Sequence, residues 1–212
     1  MTRRLLAGVA AVGATASAYM LLARPWQLRW GSTSEETDAH LLGDDLVPHP
    51  HLVATRAITV RTRADSIWPW IAQIGQARAG FYSYDLLENL FGCDIHNADR
   101  IVPEWQAIAV GDDVKLYPDG GLVVASVQRG RALVLRGAAP VEGGPAPPPF
   151  HFTWAFVLQE RPDGTTRLLV RERYGYTKPW TRLLVEPIQA VSFVMTQKML
   201  RGIRDRAERL PR

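Results

Sequence analysis

The stretch FTWAFVLQERPDGTTRLLVRERY, residues 152–174, decides the fold of this chain. From residue 152 to 158, large apolar side chains alternate with other residues at a period of two, which predicts a strand with one buried face. Pro162-Asp163-Gly164 then predicts a tight turn. In residues 165–174, arginines occupy one face and aliphatic residues the other. The stretch is therefore predicted to be an antiparallel hairpin.

Shorter runs upstream extend the predicted sheet. Asp113 to Tyr117, Leu122 to Val127 and Ala132 to Arg136 have strand-like periodicity and are separated by Pro-Asp-Gly-Gly and Arg-Gly turns. Val53 to Arg61 is rich in β-branched residues and predicts a first strand. Residues 138–149 hold five prolines and two glycines, which predicts an exposed loop. Because tight turns join the strands after the first, the sheet is expected to be antiparallel.

Two short helices are predicted between the first strand and the rest of the sheet. The first has Asp65 as its N-cap, Pro69 in its first turn and Gly75 as its end. The second spans Tyr82 to Leu90, and its expected apolar face consists of Leu86, Leu87 and Leu90. Both helices are expected to close one end of the sheet.

A long C-terminal helix is predicted from Pro187 to Arg209, where apolar residues recur at spacings of three and four. Its length of about 35 Å makes it the only predicted element able to cover one face of the sheet. The predicted fold is therefore α+β, a curved antiparallel sheet wrapped around this helix. An apolar space is expected between them, with a solid core as the alternative. The predicted ligand-binding residues in that space are Trp68, Ile71, Leu86, Phe152, Trp154, Phe156, Val191, Met195 and Met199.

The N-terminal segment is predicted to be a membrane anchor. Residues 5–23 carry no charge, a length that meets the span of a transmembrane helix, and Trp26 and Trp30 suit the membrane interface. Ala16-Ser17-Ala18 has the form of a signal-peptide cleavage site, so a cleaved signal is the alternative. The flanking arginines are nearly balanced, and the free amine favours a cytoplasmic N-terminus with the domain outside. The expected localisation is that of a single-pass membrane protein.

These features divide the chain into three predicted parts. Residues 1–30 are expected to form the anchor or signal segment, and residues 53–210 the folded domain. Residues 31–52 are polar and rich in turn-forming residues, with a short helix predicted from about Ser34 to Leu41. They are interpreted as a lead-in between the anchor and the domain.

Charge and cysteine content exclude some properties and leave others open. The formal net charge is +4, Arg3 and Arg4 account for two of these charges, and the rest of the chain is close to neutral. A nucleic-acid partner is therefore not expected. Cys93 is the single cysteine, so an intrachain disulfide is impossible. The sequence contains no motif for a cofactor or a structural metal, and it leaves the oligomeric state open.

The densest group of potentially reactive side chains lies between residues 82 and 100. If this segment folds over the end of the sheet, His96 with Asp99 or Glu88 would supply an acid and a base for an enolisation or aldol cyclisation. Asp94, His96 and Asp99 are an alternative metal-binding set, and a purely structural role is the interpretation that we favour. The candidates for catalysis are His96, Glu88, Asp85 and Tyr82.

The order of elements and several sequence blocks resemble a known superfamily. Residues 57–60, AITV, followed by residues 65–70, DSIWPW, are similar to the first strand and helix of many bacterial START-like proteins, also called SRPBCC or helix-grip proteins. This superfamily includes polyketide cyclases and dehydrases. Four blocks resemble an actinobacterial branch with an N-terminal hydrophobic segment: RWGSTSEE (29–36), GFYSYDLLENLFGCDIHNADRIVPEWQ (80–106), FTWAFVL (152–158) and QKMLRGIRDRAE (197–208). The resemblance covers about residues 25–210 and implies a helix-grip fold with a cavity for a hydrophobic ligand, but no particular activity.

Three functional hypotheses follow. The first is a membrane-tethered binding or carrier domain for a lipid-, isoprenoid- or polyketide-like molecule. The second, less favoured, is a cyclase- or dehydratase-like enzyme, which requires at least one catalytic candidate to face the cavity. The third is a scaffold with a filled core. None of the three calls for a cofactor.

Overall fold

The computed structural model describes residues 17–90, 92–137 and 147–209. The helices are α1 (Arg24–Leu28), α2 (Ser34–Asp38), α3 (Ala64–Ala72), α4 (Asp85–Leu90) and α5 (Thr181–Arg209). A π-helical turn at Tyr19–Ala23 precedes α1, and 3-10 turns lie at Asp44–Leu46 and Pro103–Trp105. The strands are β1 (Leu52–Val60), β2 (Asp113–Tyr117), β3 (Gly120–Gln128), β4 (Ala132–Gly137), β5 (Phe150–Glu160) and β6 (Thr166–Tyr176). The chain is therefore α+β, as predicted.

The six strands form one antiparallel sheet in the order β1-β6-β5-β4-β3-β2. Strands β2 to β6 follow one another as a meander, and β1 pairs with β6, the last strand. The register shifts between Lys115 and Tyr117 in β2 and between Val124 and Ser126 in β3. Such bulges bend the strands that carry them, which gives the sheet its curvature.

The hairpin quoted from the sequence is longer than predicted. β5 and β6 have eleven residues each and pair from Phe150 opposite Tyr176 to Glu160 opposite Thr166. Asp163 fixes the turn, because its Oδ1 accepts hydrogen bonds from the backbone N–H and the hydroxyl of the residue two positions later, at 2.9 and 2.7 Å. This local bonding explains why the turn could be predicted from sequence.

Two predicted helix starts are wrong. α5 begins six residues before its predicted start and has 29 residues, about 43 Å, so Pro187 lies inside the helix rather than in its first turn. The proline is exposed, and the Leu183 carbonyl that loses a hydrogen bond lies on the solvent side. In α3, Arg63 is the N-cap instead of Asp65, and Pro69 likewise lies within the helix. Burial of an apolar face, more than the proline, determines where both helices begin.

The inner face of the sheet packs against α3 and α5. The apolar core there includes Ile67 and Ile71 of α3, Phe156 of β5, and Met199 and Ile203 of α5, each at most 2 % exposed. Removing such a side chain from water stabilises the fold by about 2 kcal/mol. A curved antiparallel sheet that grips one long helix is the helix-grip architecture which the sequence resembles.

Residues 31–47, predicted as part of a lead-in, pack on the outer face of the sheet. Arg167 of β6 donates to both carboxylate oxygens of Glu36 at 2.7 Å. Arg171 donates to Asp44 at 2.7 Å and to three backbone carbonyls of the same segment. The arginine face that the sequence predicted for β6 therefore holds this segment against the domain.

The N-terminal helix enters the fold beside α5. Arg24 pairs with Glu186 of α5 at 2.7 Å, and the Trp26 ring meets the Phe193 ring edge-on at a centroid distance of 5.1 Å. Residues 5–16 of the predicted transmembrane run lie outside the described residues. Within the part of the chain that the structure describes, no helix has both the length and the apolar character to span a membrane.

Candidate ligand site beneath α4

The inner face of the sheet carries a buried ion pair that the sequence analysis missed. Arg56 of β1 donates to Glu172 of β6 at 3.0 Å, and both side chains are almost inaccessible to solvent. Two residues of α5 complete the cluster, because Gln189 Nε2 and Ser192 Oγ donate to the Glu172 carboxylate at 2.8 and 2.6 Å. Alternation along β6 places Glu172 on the same side as its apolar residues, which is the signal that could have revealed the pair. The cluster fixes α5 on the sheet.

Next to this cluster, aromatic side chains cover the inner face. Trp154 of β5 lies opposite Glu172 in the strand register. Its ring centroid is 4.8 Å from that of Phe156 and 5.8 Å from that of Phe81. The Trp154 Nε1 atom is buried and has no hydrogen-bond partner among the described residues. An unpaired buried N–H costs about 1–3 kcal/mol, so it is a group that a bound molecule would satisfy.

α4 lies in the reverse of its predicted orientation. The predicted apolar face is wrong, because Leu86 is 83 % exposed and both Leu87 and Leu90 lie on the solvent side as well. Glu88 is instead the residue that faces inward, with 8 % exposure. The segment also contacts α5, where Ser83 Oγ donates to the Met195 carbonyl at 3.1 Å.

Polar contacts at the start of α4 account for this orientation. Asp85 accepts hydrogen bonds from the backbone N–H and the side-chain amide of Asn97. The Asn97 amide also donates to the Ser83 carbonyl at 3.1 Å. These bonds fix the first turn of a helix only six residues long, so they decide which of its sides faces the sheet. Asp85 is therefore held in the scaffold of the site.

Glu88 is a buried acid with a carboxylate oxygen that no described residue bonds. Its Oε2 atom receives no hydrogen bond from the described residues. Burial, and to a lesser degree the charge of Asp85, raises the pKa of Glu88 to about 7. At neutral pH the carboxyl group is divided between its protonated and ionised forms, so it can donate or accept a proton.

The hydroxyl group of Tyr82, another catalytic candidate, is fully engaged in the core. Tyr82 OH donates to the Trp70 carbonyl at 2.9 Å and accepts from Gln73 Nε2 at 3.1 Å. Burial raises the pKa of Tyr82 well above its ordinary value. With both bonds occupied and ionisation suppressed, Tyr82 serves as a structural residue.

His96 lies on the surface, and the structure does not pair it with the predicted partners. Its side chain is 82 % exposed, and Nε2 is 3.3 Å from Asp94. Asp99 pairs with Arg206 of α5 at 2.7 Å instead. Across residues 17–90, 92–137 and 147–209, no group of three or more His, Cys, Asp or Glu side chains could hold a metal ion. The alternative metal set of Asp94, His96 and Asp99 therefore does not form.

The predicted ligand-binding residues occupy three environments. Trp68, Ile71, Phe156 and Met199 are buried in the core. Leu86 and Val191 are exposed on the outside of α4 and α5. Phe152, Trp154 and Met195 are partly buried. The role of all nine in binding stays a prediction, and Trp154 is the one among them that carries an unpartnered polar atom.

An open cleft of about 640 Å³ lies at the start of β5. Phe150 and Phe152 of β5 line it, together with Trp180 and residues 147–149. Phe152 and Trp154 share the inner side of β5, because they are two positions apart. Trp154 is therefore the next inward-facing residue after the part of β5 that lines the cleft.

Comparison with known proteins finds likeness in fold alone. No protein-family model and no curated protein matches the sequence. Truncated norcoclaurine synthase from Thalictrum flavum aligns with a TM-score of 0.47 and 14 % identity, over 76 % of this chain and 95 % of that one. The hypothetical protein jhp0584 from Helicobacter pylori aligns with a TM-score of 0.47 and 10 % identity, over 80 % and 96 %. DynU16, from the dynemicin biosynthetic locus, aligns with a TM-score of 0.42 and 15 % identity over 72 % of this chain. This chain spans about half the length of DynU16, since the alignment covers 47 % of that protein. The helix-grip architecture of this chain rests on its own strand order and on α5.

Proposed function

We propose that this protein binds an apolar small molecule with an oxygen-bearing end, and that residues 5–23 hold it at a membrane. The observation that supports binding is the unpaired buried Nε1 atom of Trp154, one of three such side-chain atoms among the described residues; the others are Glu88 Oε2 and Trp70 Nε1. An indole N–H only donates, whereas a carboxyl group near its pKa donates or accepts. A ligand hydroxyl or carbonyl group would satisfy the indole N–H.

The surroundings of the Trp154 Nε1 atom favour a ligand that is otherwise apolar. Trp154, Phe81 and Phe156 supply aromatic surface, and Met195 supplies a flexible side chain that adapts to irregular shapes. The adjacent carboxylate of Glu172 is already occupied by protein donors. A lipid-, isoprenoid- or polyketide-like molecule has this combination of a long apolar body and few polar atoms.

The membrane tether is proposed from the uncharged run of residues 5–23. The contacts of the residues that follow support a stiff connection rather than a loose linker. Arg24 pairs with Glu186, and the Gln27 carbonyl accepts a hydrogen bond from Arg56 at 3.0 Å. A chain held in this way would keep the domain in a fixed orientation relative to its anchor.

Native mass spectrometry of the full chain released from detergent micelles, followed by lipid extraction, tests the binding proposal. We expect a stoichiometric apolar molecule on the wild-type protein. Trp154→Phe keeps the aromatic ring and removes the N–H, so the affinity should fall about fivefold, the equivalent of one hydrogen bond of about 1 kcal/mol. Trp105→Phe, at a partly buried tryptophan in the turn Pro103–Trp105, is the matched control and should leave occupancy unchanged.

A wild-type chain that shows its bare mass, even after incubation with lipid and polyketide extracts, would contradict the binding proposal. It would favour a scaffold with a filled core. Equal loss of ligand in Trp154→Phe and Trp105→Phe would place the binding site elsewhere.

The second candidate function is a cyclase- or dehydratase-like enzyme. The pKa of Glu88, about 7, supports it, because a general acid or base is most effective when its pKa is close to the working pH. For an enzyme, Glu88→Gln should lower the turnover of a polyketide-like substrate by at least about 100-fold while the ligand still binds. For a binding domain, the wild type should retain the extracted molecule without converting it.

A further inference from the structure

The outer side of α5 carries an apolar stripe that no described residue covers. Its members are 38–80 % exposed, and from Leu184 onward they recur at spacings of three and four: Leu183, Leu184, Ile188, Val191 and Val194. The buried residues of the same half of α5, Val185, Gln189 and Phe193, face the opposite way. A contiguous exposed apolar stripe usually marks a surface that binds a partner or a membrane.

The N-terminal helix extends this surface on one flank of α5. It packs there through the Arg24–Glu186 ion pair and the edge contact of Trp26 with Phe193. Immediately upstream, Leu21 is 74 % exposed. The apolar surface therefore continues from α5 onto the segment that leads to residues 5–23.

α4 extends the surface on the other flank of α5. Ser83 bonds to the Met195 carbonyl, and the Lys198 ammonium lies 5.7 Å from the centre of the Tyr84 ring. The exposed leucines of α4 follow within a few residues. Three helical segments thus contribute to one apolar surface, which lies on the side of α5 away from the sheet.

The charges around the stripe are basic. Between Thr181 and Arg201, the only acidic residue of α5 is Glu186, and Arg24 neutralises it. Arg182 and Lys198 are exposed at the two ends of the stripe. Basic side chains that flank an apolar helix face suit the headgroups of anionic phospholipids.

The direction of the chain brings residues 17–23, the described end of the uncharged run, to this surface. Residues 24–30 follow α5 from Glu186 toward Arg201, whose guanidinium lies 5.3 Å from the centre of the Trp30 ring. Residues 17–23 therefore lie toward the N-terminal end of α5, where Leu183 is exposed. A segment that enters a bilayer from this point brings that end of α5 to the membrane surface.

We infer that the outer side of α5 from Leu183 to Val194 lies on an anionic phospholipid bilayer. This inference rests on the proposed tether and adds which surface of the domain faces the lipid. α4 has exposed leucines on its outer side, so these would meet the same bilayer.

Depth-dependent fluorescence quenching of the full chain in liposomes tests the inference. The vesicles contain phosphatidylcholine and phosphatidylglycerol, with brominated phosphatidylcholine as the quencher, and flotation establishes that the chain is membrane-bound. In a Cys93→Ala background, a fluorophore on Leu183→Cys or Val191→Cys should be quenched at least twofold. The matched control is Val110→Cys, which is 64 % exposed in the segment before β2 and should not be quenched.

Each other outcome has a distinct meaning. Liposome-bound chains whose labels at residues 183 and 191 stay unquenched would overturn the docking surface and leave the tether intact. A chain that fails to float with liposomes would overturn the tether and the docking surface together. Shielding of both labels in detergent, with cross-linking of two chains through Val191→Cys, would assign the stripe to a second copy and overturn the inference.

Discussion

Glu172 and Glu88 are both buried glutamates on the inner side of the fold, 3 % and 8 % exposed, and they differ in their partners. Glu172 accepts hydrogen bonds from Arg56, Gln189 and Ser192. The Oε2 atom of Glu88 accepts none from the described residues. A buried carboxylate is stable only when hydrogen-bond donors or a counterion offset its lost hydration. The protein supplies these partners to Glu172, whereas a bound molecule could supply one to Glu88. The comparison separates the polar residues that build this fold from those available to a ligand.

The largest effect on stability is expected when Glu172 loses its buried counterion. Arg56→Met leaves the Glu172 charge buried without its counterion, so the free energy of unfolding should fall by about 3–5 kcal/mol. Denaturant unfolding of the full chain measures this change. The double variant Arg56→Met/Glu172→Leu removes both charges and should regain most of the loss. A single variant as stable as the wild type would show that the pair does not hold α5 on the sheet.

A smaller effect is expected on the outer face. Asp44→Asn removes the charge that Arg171 and Arg173 share, which should lower the free energy of unfolding by about 2–3 kcal/mol. Residues 31–47 should also become susceptible to limited proteolysis. Asp45→Asn is the control, because its 88 % exposed side chain pairs only with an exposed histidine, and it should change stability by less than about 0.5 kcal/mol. Equal changes in the free energy of unfolding for the two variants would show that Asp44 does not hold residues 31–47 on the sheet.

The uncompensated glutamate is expected to give a pH signature. The pKa of Glu88 in the folded protein, about 7, lies above the ordinary value of 4.5, so between these values only the folded state keeps the proton. Wild-type stability should therefore fall as the pH rises from 4.5 to 7. Glu88→Gln removes this dependence and should exceed the wild type by about 2 kcal/mol at pH 7, since nearby water screens part of the full shift.

Denaturant unfolding at several pH values gives this comparison. The two chains should be nearly equal at pH 4 and diverge steadily up to pH 7. Parallel profiles for wild type and Glu88→Gln would mean that Glu88 is compensated in solution by a group that the described residues do not include.

The smallest effect concerns Trp154. Trp→Phe removes ring surface at either position, but in ligand-free protein Trp154→Phe also removes an unpaired buried donor. Trp154→Phe should therefore lower the free energy of unfolding by about 1 kcal/mol less than Trp105→Phe does, although it weakens ligand retention. Thermal unfolding of the two delipidated variants measures the difference. A greater loss of stability in Trp154→Phe than in Trp105→Phe would indicate that the Trp154 N–H already has a partner.

Local patterns in the sequence predicted the sheet well. The alternation in β5 and β6 and the turn at Pro162-Asp163-Gly164 depend on neighbouring residues only, and all three are present in the structure. The Arg56–Glu172 pair could not be found in this way. It depends on the register between the first and last strands, which joins residues 116 positions apart.

The predicted orientation of α4 was wrong for a different reason. The rule that the apolar face of a helix is buried assumes that water covers the other face. The polar contacts of Asp85 with Asn97 turn the leucines outward instead, and under the proposed docking these leucines would meet lipid. The same rule predicted that Glu88 would be exposed. Glu88 was named as a catalytic candidate because it belongs to a cluster of polar residues, not because burial was expected.

The most direct test of the ligand site is a ¹⁵N–¹H correlation spectrum of the delipidated full chain, recorded before and after addition of the extracted molecule. The seven tryptophans give separate indole signals, and the signal that disappears in Trp154→Phe is that of Trp154. We expect the Trp154 indole proton to shift downfield on binding while the Trp105 signal stays in place, because Trp154 gains an acceptor and Trp105 does not. A Trp154 signal that does not move when the protein is saturated with ligand would contradict binding at Trp154.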